Sequence, residues 1–434
     1  MKTNRPALRF TVIPALVLAG SLLAATTVSA QEQTDSATGL TYTLANNEAT
    51  VTGITSDRLP ADGKLVIPET LGGKPVTKIG EDAFKEDPAL KEFSAPSVIE
   101  INVGAFRMCP ALTKVSLPKL DSTGVSAFSN CSKLETLSLP EATSIGNHSF
   151  RECSALHEID LPKATSIGDA AFFKCTLLED LILPKATTIG KSAFKDCTNL
   201  AEIDLPKVTD IKESAFHACT SLSVIKLPEA TTIYSQVFYR CTKITKIDLP
   251  KVTFTGASSF EGCSLLSSVS LPKATLIGGS AFVGCDKLTD VSLPAATTVD
   301  NYAFAACPNL KEISLPKATS LGSNAFQNCT ALEKVFLPAL EKMPSHTDFG
   351  GKQFVGCAAL KDVYIGGDLA QPADDAFENV PTDDLTIYHH PEHETNFTSG
   401  NWACLTKIKV IRPFSELVDI APGSSIATLS IRHA

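Results

Sequence analysis

The side chains in this sequence that could do chemistry are above all cysteines at a regular spacing. Eleven of them follow one another at a step of 22 residues, and each stands three places after a phenylalanine. They are Cys109, Cys131, Cys153, Cys175, Cys197, Cys219, Cys241, Cys263, Cys285, Cys307 and Cys329. Thiols can form disulfides or bind a metal ion, and the choice depends on the distance and direction that the fold gives them.

The fold follows from the same step. Phenylalanines repeat every 22 residues from Phe84 to Phe326, and such self-similarity is typical of stacked supersecondary units. Equivalent residues of stacked strands lie about 4.8 Å apart, with parallel Cβ vectors, whereas a disulfide needs Cβ atoms about 3.8 Å apart. We therefore predict a row of reduced, buried thiols rather than disulfides. Cys357 continues the row after an insertion, and Cys404 lies outside it.

One turn of the repeat shows how each unit is built. Residues 156–175, LHEIDLPKATSIGDAAFFKC, begin with a short strand whose apolar residues point inward by the period of two. Pro162 ends this strand because it has no N–H to give to a neighbour. A second short extended piece follows, and Gly168 permits a tight bend. Phe172 and Cys175 then share one face of a predicted helical or 3₁₀ turn.

The pattern LxxIxLPxxATxIGxxAFxxC resembles the leucine-rich repeats of the BspA-like family of bacterial surface proteins. The resemblance covers about residues 40 to 412. It implies a right-handed leucine-rich-repeat solenoid with a parallel sheet on its concave side and the helical turns on its convex side. It also implies roles in surface binding and adhesion, often to host extracellular-matrix proteins or to other cells.

The ends of the chain differ from the repeat. Residues 1–30 combine a basic start, an apolar stretch and small residues before Ala30, which predicts a signal peptide cleaved after Ala30 and hence a secreted or surface-exposed bacterial protein. Residues 31–60 are predicted as an N-terminal hairpin cap, 61–380 as a solenoid of about 13–14 turns, 381–413 as a C-terminal cap and 414–434 as a tail. No apolar run is long enough for a transmembrane helix.

Charge restricts the class of partner. The formal net charge is −9, and loss of residues 1–30 removes three basic residues, so that 35 basic residues face 47 acidic ones and the net charge becomes −12. An acidic protein is a poor partner for nucleic acid or for anionic lipid. The sequence therefore favours a protein or glycan ligand.

The outward positions of successive strands are acidic in the middle of the repeat region. We predict binding at Glu158, Asp160, Asp180, Glu202 and Asp204. A basic patch on another protein is one suitable ligand. The alternative is a solvated face whose charge is offset by the lysines after each proline, and calcium binding is a minor alternative.

Two aromatic residues stand at outward positions near the C-terminal end. Phe336 and Tyr364 occupy neighbouring turns beside an insertion around His346, and exposed aromatic side chains are typical anchors of an interface. The alternative is that this insertion packs onto them.

Other chemistry has little support in the sequence. His389, His390 and His393 could bind a transition metal, but Pro391 interrupts them and no HExxH spacing is present. No GxSxG elbow, Gly-rich phosphate loop or CxxC pair occurs. We predict no enzyme, no cofactor and a monomer. The predicted function is adhesin-like binding to a host-matrix or cell-surface protein through the concave face. The alternatives are a structural spacer of the envelope and a glycan-binding surface protein.

Overall fold

A computed structural model describes residues 31–55, 57–343, 351–366, 376–381 and 383–389, and the backbone of 408–410. These parts of the chain form a parallel β-solenoid of about 13 turns. Each turn has two short strands and one run of turns, so the coil has three sides. The Phe, Leu, Ile and Cys side chains that recur at the buried positions of the repeat point inward and form one continuous core.

The N-terminal end of the solenoid begins with antiparallel strands. They are β1 (Gln33–Thr34), β2 (Leu40–Ala45), β3 (Glu48–Ile54), β5 (Thr70–Leu71) and β6 (Lys74–Ile79). β2 and β3 form a hairpin, and the two residues of its turn, Asn46 and Asn47, have φ of 51° and 67°, as a tight hairpin turn requires. β3 pairs in parallel with β6, so the hairpin covers the open end of the sheet that the second strands of the turns form, which we call the second-strand sheet.

The first strands of successive turns line one side of the solenoid, and in those up to residue 314 the middle one of three residues points inward and its two neighbours point outward. These strands are β4 (Lys64–Val66), β7 (Glu92–Ser94), β9 (Lys114–Ser116), β11 (Thr136–Ser138), β13 (Glu158–Asp160), β15 (Asp180–Ile182), β17 (Glu202–Asp204), β19 (Val224–Lys226), β21 (Lys246–Asp248), β23 (Ser268–Ser270), β25 (Asp290–Ser292), β27 (Glu312–Ser314), β29 (Lys334–Leu337), β30 (Asp362–Ile365), β31 (Thr386–His389) and β32 (Ile408–Val410). We call the outward side of these strands the strand face.

The strand face is not one sheet. Its strands form four separate parallel sheets, β4 to β13, β15 to β19, β21 to β25 and β27 to β32. We call the three gaps between these sheets the open junctions, and the first lies between β13 and β15. The family resemblance implies one sheet on this side, so the segmentation is a finding that only the structure provides.

The second strands form the longest sheet. They are β8 (Glu100–Ile101), β10 (Ser122–Thr123), β12 (Ser144–Ile145), β14 (Ser166–Ile167), β16 (Thr188–Ile189), β18 (Asp210–Ile211), β20 (Thr232–Ile233), β22 (Phe254–Thr255), β24 (Leu276–Ile277), β26 (Thr298–Val299) and β28 (Ser320–Leu321). With the N-terminal strands they make a sheet of 16 strands without a gap.

The third side, which we call the turn side, is held by backbone hydrogen bonds between turns. In the turn that contains Phe128, the N–H groups of Ser126, Phe128 and Asn130 donate to carbonyl oxygens of the following turn at 2.9, 2.7 and 2.7 Å. The phenyl rings lie behind this ladder and stack with centroids 4.9–5.7 Å apart and planes within 14° of parallel. The repeat of phenylalanine thus follows from a continuous ring column in the core.

The backbone of the turn side is a series of tight turns, and none of the described residues lies in a helix. Bonds from residue i to i−3 are present, such as Cys131 N–H to Phe128 O at 3.2 Å. They do not propagate, because Ser126 and Asn130, two places before and two places after Phe128, have φ of 56° and 63°. The same two positions have positive φ throughout the phenylalanine row. The predicted 3₁₀ geometry is interrupted by these left-handed residues.

The cysteine row lies in the core beside the phenylalanine column. All twelve cysteines from Cys109 to Cys357 are free and buried, which confirms the predicted row of buried thiols. Each thiol donates a hydrogen bond to the carbonyl oxygen of the phenylalanine in the preceding turn, at 3.0–3.4 Å. Cys404 is outside the described residues.

Candidate functional site

The five predicted carboxylates lie together on the strand face. Glu158 and Asp160 are the outward residues of β13, Asp180 belongs to β15, and Glu202 and Asp204 belong to β17. The pairing register places Asp180 directly beside Glu202. We call these five residues the acidic surface. Its three N-terminal carboxylates are exposed, and the two on β17 are half-buried.

Only part of this negative charge is compensated. Lys226, on the next strand, contacts Glu202 at 2.6 Å and Asp204 at 3.6 Å. Its hydrogen bond to Glu202 raises the pKa of the Lys226 ammonium group. Asp160 accepts a hydrogen bond from the Ser138 hydroxyl at 3.1 Å. Within the described part of the chain, Glu158, Asp160 and Asp180 form no ion pair within 4.0 Å.

The lysines after each proline do not pair with the acidic surface. Lys163 instead binds Glu141, which occupies the equivalent position of the preceding turn, at 2.6 Å. Lys251 binds Glu229 in the same way at 2.7 Å. Lys185 and Lys207 make no ion pair with any residue that the structure describes. Direct ion pairs with this lysine row therefore do not neutralise the acidic surface.

An apolar side chain stands within the acidic surface. Ile182 is the second outward residue of β15, between Asp160 and Asp204 of the neighbouring turns, and 65% of it is exposed. Val224 on β19 is 40% exposed and pairs in register with Glu202. Neither residue is among the predicted binding residues, although the period of two places both at outward positions. Acidic groups around an exposed isoleucine suit a partner that combines basic and apolar side chains.

The aromatic residues near the C-terminal end form a stack along the sheet. Phe336 and Tyr364 pair in register with ring centroids 6.0 Å apart, and Tyr364 stacks on Tyr388 of β31 at 4.4 Å. Burial raises the pKa of Tyr388 to about 12, and its hydroxyl donates to Asp362 Oδ1 at 3.0 Å. Phe336 and Tyr364 are each only 6% exposed. They therefore do not present the exposed anchors expected from the sequence, and the half-buried Tyr388 is the member that sequence reasoning missed.

The histidine segment can be followed only in part. His389 ends β31 and is buried. His390 and His393 are outside the described residues, so metal binding there stays a hypothesis. Among the segments that the structure describes, none is a helix with the length and apolar character needed to cross a membrane.

Family comparison agrees with this architecture. The model of the BspA type leucine-rich repeat region, a unit of six copies, matches residues 77–200, 187–298 and 253–386. Together these ranges run from residue 77 to residue 386, well over half of the chain. A comparison of the sequence with curated proteins gives no match.

Two solved structures with a TM-score of 0.50 share the fold. A leucine-rich repeat protein from Bacteroides ovatus is 23% identical, with a TM-score of 0.50 over 86% of this chain and 98% of that one. The pneumococcal vaccine antigen PcpA is 20% identical, with a TM-score of 0.50 over 88% and 99% of the two chains. A leucine-rich cell surface protein from Faecalibacterium prausnitzii is 25% identical, with a TM-score of 0.43 over 78% and 95%.

Proposed function

Because the chain belongs to the BspA-type leucine-rich-repeat family, we propose that it is a surface-exposed binding protein that holds a basic region of another protein against its strand face. In this proposal residues 1–30 are a signal peptide that directs export, and the solenoid is right-handed with the strand face on its concave side. Right-handed crossovers are the rule for parallel strands. The role is adhesin-like, with a host-matrix or cell-surface protein as the ligand.

One observation carries the proposal. The acidic surface has five carboxylates on three successive strands, and three of them are exposed without an ion pair among the described residues. Like charges placed this close repel one another, so the arrangement destabilises the free protein slightly. A basic partner would remove that repulsion. Ile182 would then provide apolar contact in the middle of the charged contacts, where water is excluded most easily.

A charge-reversal experiment tests this surface. Residues 31–434 would be immobilised and exposed to matrix proteins, glycans and envelope fractions, and the dissociation constant would be measured for the protein that binds. The double variant Asp160→Lys with Asp180→Lys should weaken binding by at least about tenfold, which corresponds to about 1.4 kcal/mol. The dependence of binding on salt should also decrease.

The repeat supplies a matched control. Asp248 and Asp290 occupy the positions equivalent to Asp160 and Asp180 in other turns, outside the acidic surface. Reversing both charges there should leave the dissociation constant within about twofold. Equal losses in the two double variants would contradict a specific surface. A folded protein that binds nothing in the panel would favour the structural spacer instead.

A further inference from the structure

The open junctions lack the backbone hydrogen bonds that join other turns on the strand face. Between β15 and β17, Ala201 N–H donates to Glu179 O at 2.7 Å and Leu183 N–H donates to Asp204 O at 3.3 Å. The equivalent amides at the first open junction are those of Glu179 and Leu161. Across the described chain neither donates such a bond.

The same turns remain joined on the other two sides. On the second-strand sheet, Thr187 N–H donates to Thr165 O at 2.9 Å. On the turn side, Phe172 N–H donates to Ala193 O at 2.8 Å. Two neighbouring turns are thus connected along two sides and unconnected along the third, which is the geometry of a hinge that opens on the strand face.

The inward residues of the strand face are also less buried at the open junctions than at the closed ones. The inward residue of the strand before each open junction is only half-buried, and these residues are Ile159, Ile225 and Val291. Their equivalents at closed junctions, such as Ile203 and Ile247, are at most 1% exposed. Solvent therefore reaches the edge of the core at all three open junctions, which recur every third turn.

The spacing of side chains in the core gives a physical cause for the interruptions of the strand-face sheet. The phenylalanine rings repeat at 4.9–5.7 Å, whereas strands that are hydrogen-bonded to one another lie about 4.8 Å apart. A continuous strand-face sheet can accompany this column only if the coil curves toward that sheet. Every open junction relaxes part of that curvature, because the two strands there are not held at the shorter spacing.

We propose that the three open junctions are hinges, so that the solenoid bends between rigid blocks of turns. The middle blocks are β15 to β19 and β21 to β25, and the end blocks contain the remaining strands of the strand face. Bending at a hinge breaks no strand-face hydrogen bond, whereas bending within a block breaks several, so bending concentrates at the open junctions.

The first hinge divides the acidic surface. Glu158 and Asp160 lie on one side of it, and Asp180, Glu202 and Asp204 lie on the other. If the proposed function holds, a basic partner that contacts both groups joins the two blocks and fixes their angle. The surface then adapts to its partner by a change at one junction and not by rearrangement of side chains alone.

Hydrogen–deuterium exchange of the free protein tests the hinges without any partner, so its failure is distinguishable from failure of the proposed binding. The amides of Leu161 and Glu179 should exchange at least about tenfold faster than those of Leu183 and Ala201. The corresponding amides at the second and third open junctions should behave in the same way. Equal protection at open and closed junctions would overturn the proposal.

A pair of variants tests the first hinge more directly. Asp180→Lys places a cation opposite Glu158 across the open junction and should slow exchange there by about threefold, as expected for one exposed ion pair. Thr136→Lys places a cation beside the same Glu158 across a closed junction. It should leave exchange at the first open junction unchanged. Equal slowing in both variants would mean a general charge effect and would contradict the hinge.

Discussion

The sulfur atom of Cys219 lies 3.2 Å from the carbonyl oxygen of Phe194 in the preceding turn and donates a hydrogen bond to it. The same oxygen accepts the N–H of Cys197 at 3.2 Å. Most phenylalanine carbonyls in the row thus accept one bond inside their own turn and one from the next turn. The cysteine side chain therefore fills apolar volume in the core and also links neighbouring turns by a hydrogen bond that holds them in register.

Removal of one thiol should weaken the link between two neighbouring turns. Cys219→Ala leaves the Phe194 carbonyl with one donor and creates a small cavity, so we expect a loss of about 1–3 kcal/mol in the free energy of unfolding. Urea denaturation monitored by circular dichroism measures the change. Thr220→Ala, which removes a weak, half-buried bond of 3.4 Å to Thr198 O, is the control and should cost less than about 0.5 kcal/mol. Similar losses in both variants would argue against a role of the thiol bond.

Stability should fall in alkaline solution because the thiols are buried. Burial raises the pKa of Cys153 and of Cys263 from 9.0 to about 12. Between these values the unfolded chain has lost thiol protons that the folded protein still binds, so the free energy of unfolding decreases as the pH rises. Each such thiol contributes a slope approaching about 1.4 kcal/mol per pH unit.

The urea midpoint should accordingly be level from about pH 7 to pH 8 and fall steeply above about pH 9. Native thiols should also be inert to a thiol reagent until the protein unfolds. Cys153→Ala should reduce the slope relative to the unmodified protein. A midpoint that stays level to about pH 10.5 would show that the thiols ionise freely in the folded state.

Two glycines of one turn separate backbone strain from steric clash. Gly284 has φ of 67°, and a Cβ atom there would meet nothing within 4 Å. Gly284→Ala should therefore cost about 1 kcal/mol through left-handed backbone strain alone. Gly279 has no positive φ, and its Cβ would be at an ordinary distance of 3.4 Å from Asn301 O. Gly279→Ala should be neutral or stabilising by a few tenths of a kcal/mol, as thermal denaturation can measure.

The same substitution should have opposite effects at two equivalent serines. The Ser149 hydroxyl is 2.8 Å from Thr123 Oγ1 and lies 2.8 and 2.9 Å from two backbone carbonyl oxygens, one of which accepts its single proton. The Ser259 hydroxyl is buried without a hydrogen-bond partner. We expect Ser149→Ala to destabilise the protein by about 1–3 kcal/mol and Ser259→Ala to stabilise it by about 1 kcal/mol.

The contrast comes from the residue 26 positions earlier, which is Thr123 for Ser149 and Ile233 for Ser259. Thr255 is the counterpart of Thr123, and the position that would pair with it, as Ser149 pairs with Thr123, is Ala281 in the next turn. Ala281→Ser should therefore supply the missing partner of Thr255. It should stabilise the protein when it is combined with Ser259→Ala. Chemical denaturation of the single and double variants measures the coupling. A destabilising Ser259→Ala would indicate that this hydroxyl has a partner in solution.

Sequence alone was sufficient for the features that depend on equivalence between turns. The spacing from Phe106 to Cys131 predicts stacked rings and buried thiols, because identical positions of a solenoid occupy identical environments. Backbone geometry at Ser126 and Asn130 could not be predicted in the same way. Residues of many types, though no β-branched residue, occupy these positive-φ positions, since the ladder between turns outweighs the preference of a single residue. The local signals are the glycines at four of these positions, Gly104, Gly262, Gly284 and Gly356, and the lack of β-branched residues there.

The candidate site was predictable in position but not in detail. The period of two places Glu158 and Asp160 outward, and stacking brings Asp180 beside them. Which carboxylate finds Lys226 depends on side-chain conformations across strands, and the absence of pairing between β13 and β15 depends on spacing in the core. Neither quantity is encoded in a local pattern. The burial of Phe336 is likewise a tertiary property, because an outward position does not specify what covers it.

The ladder of hydrogen bonds gives the turn side an electrical direction. In every such turn three N–H groups point toward the next turn, as they do at Ser126, Phe128 and Asn130, and the carbonyl groups that receive them point back. Peptide dipoles aligned in this way add, as they do in an α-helix. The positive end of the array lies at its C-terminal end, the reverse of an α-helix. On the turn side, anions are therefore favoured at the C-terminal end and cations at the N-terminal end. Bonds of the second-strand sheet, such as Thr187 N–H to Thr165 O, run the other way and offset part of this field over the whole solenoid.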